Sequence, residues 1–216
     1  MKINIKIPKD LNAVTLKQYK HFLDIQSKNK DEKFLQAKMI EIFCNISLSN
    51  VYKLKYNDSL EITSILTEMF DQKPQLVKKF KIGKTEYGFN PSLDDLTLGE
   101  YIDLDTYIGD WDNIEKAMNV LYRPITAKLK DKYSIAEYDA KENMEILKMP
   151  MDAVNSSIFF FYHLGMDLSK TMMNYLDNNQ TEALIDYHNS QNVLGGSIRY
   201  MDSLTEILQN LNISQN

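Results

Sequence analysis

A short pattern that occurs twice constrains the fold of this chain more than any other feature. Residues 11–19 and 93–101 carry a leucine, an aliphatic residue, a threonine, a leucine, an amide or acid, and a tyrosine at the same spacing, 82 positions apart. Thr15 and Gln18 in the first copy are matched by Thr97 and Glu100 in the second. This is the spacing of a capping box, in which the hydroxyl accepts from the third backbone N–H and the acid or amide accepts from the N–H of the cap. Because each copy follows an extended stretch and a proline, the pattern predicts a strand, a turn and a capped helix, twice.

Composition favours helices in the rest of the chain. Its 216 residues include only 7 Gly and 5 Pro, the two residues that most strongly interrupt helices. Residues 2–7 alternate polar and apolar side chains, which predicts an edge strand ended by Pro8, and residues 76–89 have the pattern of a β-hairpin turning near Gly83. We therefore expect a mainly helical α+β fold, in which a helical bundle carries a small antiparallel sheet built from residues 2–7 and the 76–89 hairpin.

The repeat also suggests how the chain is organised. Residues 1–73 would form the first helical repeat, residues 74–176 the hairpin and the second helical repeat, and residues 177–216 a C-terminal helical extension. No Pro-, Gly- and Ser-rich linker separates these parts, so one continuous domain is the alternative.

Further capping signals fall in the second half. Asp112 and Ser134 each precede a glutamate by three positions, which predicts two more capped helices, the later one reaching about Leu147. A helix ending near Arg123 is expected because Pro124 lacks an N–H and disfavours helix in the residue before it. Pro150 would open a long final helix.

The residues that carry chemistry are sparse. The 3 His are far apart, the single Cys44 lies in an apolar run that predicts a buried thiol, and no glycine-rich phosphate loop or serine nucleophile motif is present. A net charge of −5 argues against a dedicated nucleic-acid binder. No stretch approaches 18 consecutive apolar residues. We therefore expect neither an enzyme nor a membrane span, and no catalytic residue, cofactor or metal ligand is assigned.

Arg123 and an acidic segment form the sharpest polar constellation. The chain has two arginines, and Arg123 precedes Pro124 at the expected helix end. A bidentate pair with a carboxylate of residues 94–105, which include Asp103 and Asp105, is one interpretation, and Arg123→Lys would then cost nearly as much as Arg123→Ala. The other interpretation is that Arg123 only complements the C-terminus of a helix.

An aromatic run marks the last predicted helix. Residues 158–162 are all large and apolar, with Phe159, Phe160 and Phe161 at the centre. Such a run covers a helix on every side, so it is either central to the core or partly covered by another chain.

Parts of the sequence resemble structural-gene products of tailed bacteriophages, most closely those of the crAss-like phages. The similarity rests on residues 88–104, 117–125, Tyr133 and Tyr138. Residues 14–19 and 42–47, with Asp58 before a helix, are also similar to tail assembly chaperones. Together these matches span roughly residues 5–165.

The resemblance implies a virion component at the head–tail connector or in the tail, made in the bacterial host cytoplasm. It implies a ring-forming homo-oligomer that contacts other phage proteins, such as portal or tail proteins. The net charge and the absence of a long apolar stretch, and not the resemblance, argue against specific nucleic-acid or membrane binding. The alternative that it implies is a tail assembly chaperone that is absent from the mature virion.

Overall fold

The fold is α+β, as predicted. The computed structural model describes residues 4–141 and 143–178. Three 3₁₀ turns precede α1, α5 and α7, at Leu11–Ala13, Leu93–Asp95 and Met144–Lys148. The helices in this part of the chain are α1 Leu16–Lys28, α2 Glu32–Phe43, α3 Leu48–Val51, α4 Tyr56–Phe70, α5 Leu98–Tyr107, α6 Ile114–Leu121 and α7 Met151–Asn178. The strands are β1 Lys79–Ile82, β2 Thr85–Phe89, β3 Tyr122–Leu129 and β4 Lys132–Ile135.

The sheet is antiparallel, with strand order β1-β2-β3-β4. The predicted hairpin is confirmed as β1 and β2, which turn at Gly83 with a positive φ of 58°. The strand predicted for residues 2–7 is wrong over residues 4–7, which have no strand structure, and residues 2 and 3 lie outside the described residues. Ile5 and Ile7 instead pack against the core as partly buried side chains. The alternation of polar and apolar residues therefore indicated which side chains face the core, but it did not indicate that the segment pairs with a strand.

The strands β3 and β4 were not expected. The helix predicted to start at Ser134 is absent, because Ser134 lies in β4 and pairs with β3. Tyr133 of β4 lies over Gly88 of β2, where the ring occupies the place that any Cβ would need, and its hydroxyl donates to the Phe89 carbonyl at 2.7 Å. This distant packing favours strand over the local helix signal.

The capping box predicted at Asp112 is also wrong. The helix α6 begins at Ile114 after Asn113, which makes no side-chain cap. Glu115, the expected partner of Asp112, instead forms an ion pair with Lys20 of α1. Here a contact between distant segments replaces a local one.

Both halves of the chain share one hydrophobic core. The backbone around Thr15 pairs with that around Pro150: Leu16 N–H donates to the Met149 carbonyl at 2.9 Å, and Met151 N–H donates to the Val14 carbonyl at 2.8 Å. The proposed boundary near residue 73 therefore does not separate two cores. Of the proposed 177–216 extension, all but residues 177 and 178 lies outside the described residues. Fully buried side chains come from both halves: Leu16, Ile40, Leu66, Ile114, Met118, Leu121, Tyr122, Ile146 and Ile158.

Candidate interaction site

Both predicted capping boxes are present. In the first, the Gln18 N–H donates to Thr15 Oγ1 at 3.3 Å and the Thr15 N–H donates to Gln18 Oε1 at 3.0 Å. In the second, the Glu100 N–H donates to Thr97 Oγ1 at 3.3 Å and the Thr97 N–H donates to Glu100 Oε2 at 2.8 Å. The duplicated pattern therefore specifies the same local structure twice.

Gln18 has a second role beyond its own cap. Its Nε2 donates to the carbonyl of Ile42 at 2.8 Å, in the last turn of α2. Cys44 caps the C-terminus of that helix, and Asn45 follows with φ 53° while the Ile46 N–H returns to the Glu41 carbonyl at 3.2 Å. This is a Schellman ending, which leaves other terminal carbonyls to be satisfied. The Gln18 amide satisfies one of them and so ties α1 to α2.

Glu100 plays the corresponding role in the second copy, with Arg123 as its partner. Arg123 Nη2 lies 2.8 Å from Glu100 Oε1, and the two side chains are only 12% and 6% exposed. The predicted pairing of Arg123 with the acidic segment is confirmed. Pairs shielded from water in this way lose little strength to solvent screening.

Part of the Arg123 prediction is wrong. The helix expected to stop near Arg123 does end close by, at Leu121, but Arg123 and Pro124 themselves lie in β3, opposite Gly88 and Tyr87 of β2. The pair makes one contact instead of a bidentate fork, because Glu100 Oε2 already accepts from Thr97 and Arg123 Nε has no hydrogen-bond partner in the described part of the chain. Lysine at position 123 would therefore retain part of the interaction.

Asp103 and Asp105 do not pair with Arg123. Asp103 accepts a hydrogen bond from the hydroxyl of Tyr138, which joins α5 to the segment after β4. Burial and this carboxylate together raise the pKa of Tyr138. Asp105 is exposed on the outer side of α5. The acidic segment thus divides into structural carboxylates and solvent-facing ones.

The outer side of α5 carries apolar residues that the sequence reasoning did not single out. Leu98, Tyr101 and Ile102 are 75%, 58% and 51% exposed. Positions i, i+3 and i+4 lie on one face of a helix, and Asp105 extends this face by another turn. We call Leu98, Tyr101 and Ile102 the α5 face. The i, i+3 and i+4 spacing of these residues could have indicated a shared helix face, but no local pattern indicated that this face would remain exposed.

The aromatic run of α7 belongs mainly to the core. Phe161 is buried, and Phe160 packs edge-on to Phe89 with ring centroids 5.8 Å apart. Phe159 is partly buried and stacks edge-on with His163 at 4.3 Å. Phe159, Phe160 and Phe161 therefore fit the interpretation that the run lies in the core. The α5 face is more exposed than these three side chains.

Buried polar residues of α7 fix the approach to the sheet. Ser156 Oγ accepts from the Val77 N–H at 3.1 Å, and the hydroxyl of Tyr122 lies 2.8 Å from the Val77 carbonyl. Val77, which lies just before β1, is therefore held at both its backbone N–H and its carbonyl. Asn155 is fully buried, and its side-chain amide has no hydrogen-bond partner among the described residues.

A groove of about 320 Å³ lies between α1, α2 and α4. Its apolar lining includes Phe22, Phe43 and Phe70, and Glu32 and Thr63 are among the polar residues beside them. No cluster of His, Cys, Asp or Glu in residues 4–141 and 143–178 is arranged to hold a metal ion. No helix in the same ranges is both long enough and apolar enough to cross a membrane.

Comparisons with known proteins assign no relative to this chain: no family model matches it, and no curated protein or solved structure is significantly similar.

Proposed function

We propose that this protein is a structural component of a tailed-phage virion, at the head–tail connector or in the tail. It acts by contacts between protein surfaces, as a homo-oligomeric ring that also contacts portal or tail proteins. The proposal is supported by the resemblance of residues 88–104 and 117–125, with Tyr133 and Tyr138, to phage structural-gene products and by a fold built on two capped-helix units.

The observation that carries the proposal is the α5 face. Three apolar side chains on one helix face, each more than half exposed, expose surface that water solvates poorly. Asp94, Asp95 and Asp105 border this face and are exposed. Apolar residues surrounded by charge are the usual anatomy of a protein–protein contact.

Mass spectrometry of purified virions tests this function. We expect peptides of this protein in phage particles from the source of this sequence after density-gradient purification, at a constant ratio to the major structural proteins. A non-structural protein of the same phage, quantified in the same samples, serves as the control for carry-over from the lysate. Absence of the peptides from particles, although the lysate contains them, contradicts the virion role.

A tail assembly chaperone is the second proposal, and the groove between α1, α2 and α4 favours it. An apolar cleft with polar residues beside it can hold an extended or helical segment of a client protein. A chaperone is expected in the lysate, bound to tail proteins, and absent from the particles. The measurement on virions therefore separates the two roles.

A further inference from the structure

We propose that the α5 face of one copy binds the β3–β4 hairpin tip of a second copy, in a head-to-tail contact. The hairpin tip consists of residues 128–132. This contact rests on the proposed function, since it names the partner of the same face. The occupant to which we commit is another molecule of this chain.

The hairpin tip projects from the sheet. The β2–β3 ladder ends where Tyr87 pairs with Pro124, and beyond it β3 pairs only with β4. Pro124 has no N–H to extend the ladder. Leu129, at the end of β3, is 76% exposed, and Lys130 turns the chain with φ 53°. An isolated two-stranded ribbon is only marginally stable in water, so this hairpin gains stability from a surface that covers it.

The two surfaces carry opposite charge. The hairpin tip holds three lysines and one carboxylate, Asp131, so its net charge is positive. Lys128 pairs with Glu86, while Lys130 and Lys132 form no ion pair within the described residues. The α5 face is bordered by Asp94, Asp95 and Asp105, and none of these three forms such a pair there either. The tip therefore has a net positive charge beside the exposed Leu129, and carboxylates border the exposed apolar residues of the α5 face. Opposite net charge of this kind favours one partner and one orientation.

The tip and the α5 face of the same molecule leave each other exposed. Arg123, near the start of β3, is fixed to α5 through Glu100. A strand rises by roughly 3.3 Å per residue, so Leu129 lies about 20 Å further along β3 than Arg123. The exposure of both surfaces agrees with this separation. The contact is therefore intermolecular, and because it joins two different patches it is heterologous, the type that closes into rings or extends into filaments.

The contact is small, so its strength should depend on concentration. A three-residue face and a hairpin tip fall below the usual 1,600 Å² of a stable interface, a size class of about micromolar affinity or weaker. We expect assemblies in sedimentation velocity that grow as protein concentration rises. Raising salt from about 0.05 M to about 0.5 M should weaken them, because exposed charges are screened.

A mixing experiment tests the head-to-tail arrangement. Tyr101→Asp disables the α5 face, and Leu129→Asp disables the hairpin tip. Each variant alone should sediment as a monomer, whereas an equimolar mixture should form dimers and nothing larger, because one intact face meets one intact tip. Tyr56→Asp is the matched control, since Tyr56 is a similarly exposed tyrosine on α4, and it should assemble like the wild type.

Charge reversal gives a second, independent measurement. Lys130→Glu with Lys132→Glu should weaken self-association by about tenfold, as expected for the loss of two exposed charge pairs. Asp94→Lys with Asp95→Lys should do the same, and combining all four changes should restore association. Circular dichroism and thermal melts should match the wild type, because all four side chains are exposed.

Either of two results overturns the inference. One is a wild-type protein that stays monomeric up to about 1 mM, well above the micromolar range in which small interfaces associate. The other is self-association that neither Tyr101→Asp nor Leu129→Asp changes. Failure of the proposed function is a different result: the head-to-tail dimers form in the mixture, while the protein is absent from virions.

Discussion

The two copies of the capped-helix unit begin in the same way and bury different faces. In both, a 3₁₀ turn, one extended residue and a threonine cap lead into the helix at the same relative positions. Leu16 and Tyr19 of α1 are 0% and 5% exposed, whereas their counterparts Leu98 and Tyr101 lie on the exposed α5 face. The local signal therefore sets where each helix starts, but not which side of it meets the core.

Distant partners determine the buried side. On α1, the buried stripe is Leu16, Tyr19 and Phe22, and Tyr19 packs on Phe70 and Trp111. On α5, Glu100 and Leu104 are buried within the helix and Ile108 follows at its end. At 100° per residue, the centres of the two stripes differ by roughly 60° when the copies are aligned. The rotation moves an equivalent tyrosine from the core of one copy to the surface of the other.

The residue that closes each capping box, Gln18 in the first copy and Glu100 in the second, matches the partner that it contacts. Gln18 faces the carbonyl of Ile42 and needs a donor, which its amide supplies. Glu100 faces the guanidinium of Arg123 and needs an acceptor with charge, which its carboxylate supplies. Glutamine and glutamate serve equally well as the reciprocal half of a capping box, so the choice between them is made by the second contact.

Alanine at the two equivalent tyrosines should give the largest contrast. Tyr19→Ala leaves a cavity among aromatic rings and should lower the free energy of unfolding by about 3–5 kcal/mol. Tyr101→Ala removes an exposed ring and should change it by less than about 0.5 kcal/mol. Urea denaturation followed by circular dichroism measures both. Equal losses of unfolding free energy in the two variants would mean that Tyr101 is buried like Tyr19, which would contradict the difference between the two copies.

Glu100→Gln should produce the next largest effect. It turns the second box into a copy of the first: glutamine can still accept from the Thr97 N–H, but it leaves the buried Arg123 without a counter-charge. Breaking a buried ion pair costs about 3–5 kcal/mol, and the slight exposure of this pair places the expected loss near the lower end. Arg123→Lys should cost less than Arg123→Ala, since a single contact to Oε1 needs only one donor.

A double substitution separates charge burial from loss of packing. Combining Glu100→Gln with Arg123→Met removes the unpaired charge while keeping an apolar chain of similar length, and it should recover much of the stability lost in Glu100→Gln. If the double variant is as unstable as Glu100→Gln alone, then the loss comes from altered packing around α5 and not from the orphaned charge.

The sequence predicted what depends on neighbours along the chain. Both caps, the hairpin near Gly83 and the pairing of Arg123 with the acidic segment follow from local spacing or from the scarcity of one residue type. The strands β3 and β4 could not be predicted in this way, because they depend on Tyr133 closing over Gly88 from 45 residues away. The exposure of the α5 face could not be predicted for the same reason, because whether a helix face is buried depends on the distant segments that pack against it.

Gln18→Glu is the reverse exchange and should have a smaller effect than Glu100→Gln. A carboxylate at position 18 retains the cap but faces the Ile42 carbonyl, and it leaves that acceptor without its donor. Loss of a hydrogen bond at a partly buried carbonyl costs about 1–3 kcal/mol. The end of α2 and its cap residue Cys44 should loosen as a result.

Cys44 reports this loosening directly, since it is the only cysteine in the chain. Burial raises the pKa of its thiol to about 11, so little thiolate is present at pH 8 and labelling by a thiol reagent should be slow. Local opening lowers this pKa toward that of a solvated thiol and should accelerate labelling in Gln18→Glu. Glu100→Gln serves as the control, because it alters the other copy and should leave the rate unchanged below the unfolding transition.

The smallest expected effect compares the two caps. Thr15→Ala and Thr97→Ala each remove a hydroxyl that accepts from the helix, at a cost of about 1 kcal/mol and roughly 2–4 °C in melting temperature for a chain of this size. Each hydroxyl also donates to the box residue, to Gln18 Oε1 at 2.9 Å in the first copy and to Glu100 Oε2 at 2.8 Å in the second. A charged acceptor strengthens this bond, so Thr97→Ala should cost a few tenths of a kcal/mol more than Thr15→Ala.

Thr106→Ala is the control: Thr106 is exposed within α5 and its hydroxyl donates to the Ile102 carbonyl, so alanine there should be neutral or slightly stabilising. A larger loss from Thr15→Ala would show that the neutral box of the first copy is the stronger one, which would reverse the ranking.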